Sequence, residues 1–90
     1  MAVVSERVRR RIERDFPDPG SAAAVLDLVG TVHESERVQA AVVVLGDGDL
    51  VRLRDASDLA QLDWRDVLIR VGFPDEDWPA RLDAELGPAD

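Results

Sequence analysis

Ninety residues, 46% of them hydrophobic and 33% charged, make a single domain over residues 1–90, because a second core does not fit in so short a chain. The absence of cysteine excludes disulfides, thiolate chemistry and cysteine-held zinc or iron–sulfur groups. A net charge of −8, with arginine and no lysine, argues against broad binding to nucleic acid or anionic membranes, since both repel an acidic surface.

The first helix is expected at residues 5–15, with Ser5 as its N-cap. Val4, Val8, Ile12 and Phe16 recur every four residues and form a narrow apolar stripe. Arg7, Arg10, Arg11 and Arg14 project away from that stripe in one arc. Residues 1–16 carry five arginines against three carboxylates, which leaves −10 for the other 74 residues. A charge-polarised helix of this kind is most simply a solvated face; its sharper reading is a docking face for an acidic protein surface, a second copy of the chain included. Phe16-Pro17 ends the helix, because the residue before proline is pushed out of the α region.

Asp18 and Pro19 read as N-cap and first residue of a second helix that stops near Gly30. A third helix runs over 35–45, apolar nearly all round and so expected at the centre of the core. Val42, Val43 and Val44 followed by Gly46-Asp47-Gly48-Asp49 also fit a β-hairpin. The helix is preferred, because the apolar pattern beyond the turn has helical spacing and is too long for one strand. Gly46 is the expected stop, and Asp47 or Asp49 the cap of a fourth helix to about residue 62 with Leu50, Leu53, Ala56 and Ala60 inward. Asp63 and Asp66 form a capping-box arrangement for a fifth, with Trp64, Val67, Leu68 and Val71 on its core face. A short C-terminal helix is expected over 78–86, with Trp78, Leu82 and Leu86 on one side and Gly87-Pro88 after it. The fold class that follows is all-α, a compact orthogonal bundle of five to six short helices. The arginine-rich helix comes first, core helices fill 19–72, and the short helix closes the set. Ser5-Glu6-Arg7-Val8 returns as Ser35-Glu36-Arg37-Val38, which raises a repeat of two helical hairpins as an alternative organisation.

Chemistry-bearing motifs are few. His33 is the only histidine, so a nitrogen- or sulfur-rich metal site within one chain is excluded. Asp47 and Asp49 imitate the start of a calcium loop, but Arg52 stands where its glycine belongs. Asp58, Asp63 and Asp66 are the one carboxylate set to be weighed as a magnesium site for a hydrolase, although helix capping accounts for the last two. Arg65 beside Trp64 has a structural reading, a cap with a core tryptophan, with Arg65 and Arg37 in a buried ion pair with a helix-capping aspartate. It also has a functional one, a surface anchor for a partner, since Trp and Arg are enriched at interface hot spots.

Glu36-Arg37-Val38-Gln39, Leu45, Gly48-Asp49-Leu50, Leu53, Leu59-Ala60 and Asp63-Trp64-Arg65-Asp66-Val67-Leu68 together resemble a family of small uncharacterised bacterial helical proteins. An aromatic, commonly tyrosine, stands there at the position of Trp64. The resemblance spans residues 36–68 and implies an all-helical fold and no activity.

The function expected is a non-enzymatic protein–protein interaction module, cytoplasmic and without a cofactor, that binds itself or a partner through Arg7, Arg10, Arg11, Arg14, Trp64 and Arg65. No apolar stretch approaches the ~18–20 residues of a membrane span, and the first residues lack an apolar signal core. A nucleic-acid-associated regulator using the same arginines is the alternative, weakened by the acidic remainder and the lack of aromatics among the arginines.

Overall fold

A computed structural model describes residues 4–72 and 77–87. Five helices follow one another: α1 Glu6–Asp15, α2 Pro19–Val32, α3 Glu36–Gly46, α4 Leu50–Val71 and α5 Trp78–Leu86. The described residues contain no strand, so the chain is an all-α bundle and the hairpin alternative is excluded. The radius of gyration is 11.7 Å, close to the ~12 Å expected of a folded chain this long.

The helix starts follow the chemistry of their caps. Ser5 Oγ accepts from the Val8 N–H at 3.4 Å, Asp18 Oδ2 from the Ser21 N–H at 2.9 Å, and Asp49 Oδ1 from the N–H groups of Val51 and Arg52 at 2.9 and 3.2 Å. Each satisfies backbone donors that have no carbonyl inside the helix. Ser35 makes no such bond, so the two copies of Ser-Glu-Arg-Val do not open their helices in the same way.

Several boundaries differ from those read along the chain. Helix α2 runs through Gly30 to Val32, with Gly30 itself buried, because packing overrides the weak helix propensity of glycine. The expected fourth and fifth helices are both present and follow one another directly as α4, with the break between them at Asp63, whose φ of −154° and ψ of 90° are not helical, as its expected place as a cap requires. Half of the expected capping box forms there. Asp63 Oδ1 accepts from the Arg65 N–H at 3.1 Å, while Asp66 turns instead to Arg70, 3.1 Å away. Pro88, expected to follow the last helix, lies outside the described residues.

Helix α3 occupies the centre, with Val38, Ala40, Ala41, Val42 and Val43 fully buried. The stripe of α1 (Val8, Ile12, Phe16) packs into the same cluster, as do Val25 and Val29 of α2, Leu53, Ala56, Ala60, Val67 and Leu68 of α4, and Leu82 of α5. The closest pairing is α3 with α4, and Gly46 permits it: a Cβ at this position would stand 2.8 Å from the Leu53 Cβ and 3.2 Å from its Cα. Gly46 closes α3 as expected, without being left-handed itself. It is the last helical residue, and the left-handed residue is Asp47, at φ 49°.

Gly46→Ala is expected to lower stability by about 1–3 kcal/mol, because Leu53 meets the new methyl with backbone behind it. Urea unfolding of the variant against wild type, followed by circular dichroism, checks this.

Candidate functional site

Of the five arginines of α1, the four expected in one arc, Arg7, Arg10, Arg11 and Arg14, do not form one free face. Arg7 is 8% exposed, enclosed by the start of α3 and the end of α5. Its Nε and Nη2 donate to the two oxygens of Glu36 at 2.8 and 2.7 Å, the fork-to-fork geometry that suits a guanidinium and a carboxylate. Its Nη1 donates to Asp83 Oδ1 at 2.5 Å and to the Gly87 carbonyl at 3.1 Å. Ser5 Oγ completes the cluster by donating to Glu36 Oε2 at 2.5 Å.

Arg11 repeats the arrangement one turn on. Nε donates to Asp15 Oδ2 at 2.9 Å, and Nη1 to the Glu85 carbonyl at 2.7 Å and Glu85 Oε2 at 3.2 Å. Arg14 is largely in solvent, 3.2 Å from Asp15, and Arg10 is exposed. The expectation that all four point away from the protein thus fails for Arg7 and Arg11. The angle from the apolar stripe was right; what the helical wheel does not carry is α5, which lies over that flank.

Electrostatics follow from these contacts. Arg7 is held charged chiefly by its bonds to Glu36, which outweigh the opposing effect of burial; Asp83 adds to them. For Arg11, burial pulls the guanidinium toward its neutral form, and the hydrogen bonds to Asp15 and Glu85 more than offset it. Glu36 is held below the usual carboxylate range, first by the bonds from Arg7, against partial burial, and then by Ser5.

The second candidate region is the break in α4. Trp64 is 39% exposed, so the core tryptophan expected at the start of this segment is not there. Trp64 follows the non-helical Asp63 and is not among the partly buried apolar side chains packed against the core. Its ring lies 5.7 Å from that of His33, and the Arg65 guanidinium sits 5.2 Å from the ring centroid, in cation–π range. Arg65 is exposed, so the buried ion pair expected of it is not there, and Arg37 lies 4.7 Å from the ring centroid of Trp78. Leu62 on one side of the break is 86% exposed, and Ile69 on the other 62%.

Other groups are placed as structural members. Among the described residues, no three His, Asp or Glu side chains converge to hold a metal ion, so Asp58, Asp63 and Asp66 are not gathered as such a set. An open groove of about 220 Å³ is lined by Leu45, Arg52, Asp55, Ala56, Leu59 and Arg70. It is smaller than the ~300–1,000 Å³ of ordinary ligand pockets, and its two arginines already face Asp47 and Asp66. His33 Nδ1 accepts from the Ser35 N–H at 2.9 Å.

Gln39 was not singled out along the chain, yet it is fully buried and its Nε2 donates to the His33 carbonyl at 2.8 Å, tying α3 to the end of α2. Its Oε1 has no hydrogen-bond partner among the described residues. The signal that marks it is a lone amide in an otherwise apolar run. No protein-family description, curated protein or solved structure matches the chain.

Two outcomes check the arginine cluster. Arg7→Ala is expected to lower stability by about 2–4 kcal/mol, somewhat below the ~3–5 for breaking a fully buried pair because its partners keep contact with water. Arg14→Ala should stay within about 0.5 kcal/mol of wild type in the same urea titration.

The second outcome concerns acid. A carboxylate with a depressed folded pKa contributes stability that is complete above its unfolded value, ~4.3 for glutamate, and is lost as pH falls through the folded value. Melting curves taken downward from about pH 5 should therefore fall more steeply for wild type than for Glu36→Gln.

Proposed function

We propose that this chain is a non-enzymatic interaction module that binds a protein, a second copy of itself included, through the surface at the break in α4. The observation that carries this reading is the exposure of Leu62, Trp64 and Ile69 within eight residues, with the Arg65 guanidinium laid against the tryptophan ring. Water gains nothing from an exposed leucine and a half-exposed tryptophan, whereas a partner that covers them removes apolar area from solvent. Tryptophan and arginine are also the side chains on which interface energy concentrates.

The richest ionic cluster supports the same assignment from the other side. Arg7, Glu36, Asp83, Arg11, Asp15 and Glu85 are engaged with one another across α1, α3 and α5, so these groups hold helices together. Arg7 and Arg11 are thereby withdrawn from the partner surface. Of the six residues first named for it, Trp64 and Arg65 are the strongest that remain.

Leu62→Glu combined with Ile69→Glu changes two exposed side chains that the core does not use. Wild type is expected to associate, with itself or with a protein it retains through purification, and the double variant to lose that association while its melting temperature is unchanged. Light scattering at low and high salt, with mass spectrometry of whatever co-purifies, reads both. Equal solution mass and equal retained proteins in the two forms would overturn the assignment.

A further inference from the structure

We infer that the surface of α1 and α3 beneath α5 is a helix-binding site, occupied here by the chain's own α5, whose other occupant is a partner's acidic amphipathic helix with the chemistry of α5. The site is separate from the break in α4 and does not rest on the function proposed for it.

The argument starts from how α5 is held. Among the described residues it packs on α1 and α3 and on no other helix. Leu82 is its one fully buried side chain, while Trp78 and Leu86 are half-buried at its two ends. Its last turn contains no basic residue, so apart from the Gly87 N–H, which donates to the Asp83 carbonyl at 2.8 Å, it brings no positive charge of its own to the negative pole at its end. Helix α1 supplies that charge. Arg7 Nη1 takes one carboxylate, Asp83, and one carbonyl, Gly87; Arg11 Nη1 takes one carboxylate and one carbonyl, both of Glu85. At the other end Arg37 of α3 lies against the ring of Trp78.

The bonds that orient the receiving side do not involve α5. Glu36 holds Arg7 through Nε and Nη2, and Asp15 holds Arg11 through Nε, so each guanidinium is oriented by its own neighbour and offers its Nη1 outward. Two pre-oriented guanidiniums set for the carboxylates and carbonyls of a helix end, beside an apolar slot for one leucine, are a recognition surface with defined chemistry. The carboxylates on the α5 side, Asp83 and Glu85, have side chains 55% and 45% exposed, so their ion pairs are open to solvent and to screening by salt. A helix anchored by one buried leucine and two screened pairs is the element that leaves first, and a competing helix of the same chemistry recovers the same contacts.

Full-length protein carrying Leu82→Asp, whose own α5 is disabled, is titrated with a fluorescent peptide of residues 77–87 and followed by anisotropy. Saturable binding is expected, tighter than to wild type, where α5 competes. A peptide with Asp83→Asn and Glu85→Gln should bind at least about tenfold more weakly, as should a protein that also carries Arg11→Gln. No saturable binding to a Leu82→Asp protein that keeps wild-type helicity, or equal binding of a scrambled peptide, overturns the inference. If that variant loses its helicity, hydrogen exchange on wild type decides. Amides of α5 that exchange at least about tenfold faster than those of Ala41–Val43, and faster still in added salt, support it. Amides of α5 as protected as those of α3 overturn it.

Discussion

The guanidinium of Arg7 is the point on which the arrangement of three helices depends. It belongs to α1, it grips the carboxylate at the start of α3, and it reaches both a side chain and a carbonyl at the end of α5. A buried charge is tolerated only when its donors are taken up, because the loss of hydration is otherwise uncompensated. Placing Arg7 inside therefore obliges the beginning of α3 and the end of α5 to lie against the same side of α1. Residue 7, residue 36 and the helix end at 83 and 87 are far apart in the chain, and one side chain couples their positions. The cluster is also directional: Glu36 fixes two arms of the guanidinium, and the third is left for α5.

A second constraint is the close approach of α3 and α4 at Gly46 and Leu53. The absent side chain at 46 lets the two helices meet, and the left-handed turn that joins them falls on Asp47 and Gly48, with Asp49 then starting α4. Glycine here serves packing first. The run Val42–Val44, which suits a strand by propensity, is helical because Val42 and Val43 find full burial on different sides of a helix that is surrounded. Burial of this kind outweighs the few tenths of a kilocalorie by which β-branched residues disfavour a helix.

The residues that carry the resemblance to small bacterial helical proteins hold this scaffold. Glu36 binds Arg7, Gln39 ties α3 to α2, Asp49 and Asp63 satisfy backbone donors, and Leu53, Ala60, Val67 and Leu68 are core. A pattern made of core positions, caps and one ion pair specifies how helices meet. The proposed binding falls mainly on other residues, Leu62 and Ile69 at the break in α4 and Arg7 and Arg11 beneath α5, while Arg37, Trp64 and Arg65 belong to both sets.

Periodicity, caps and glycine positions by themselves determined that the chain is helical, where its five helices begin, and which side chains form the core of α1, α3 and the first half of α4. These are local properties: a side chain within three or four residues, or a repeat of 3.6, is enough to set them. The wheel of α1 also separated Val8 and Ile12 from the arginines correctly. It did not show that Arg7 and Arg11 are internal, because an angle about one helix axis says nothing of what another helix lays over it. Trp64 left the core for a related reason: its spacing to Val67, Leu68 and Val71 places it on one side of the segment that Asp63 opens, but does not say whether another helix covers that side so near the segment's start. Which arginines are spent on holding α5, and which apolar side chains remain in water, was decided only when the five helices packed. Both depend on contacts between residues distant in sequence, and no local pattern encodes those.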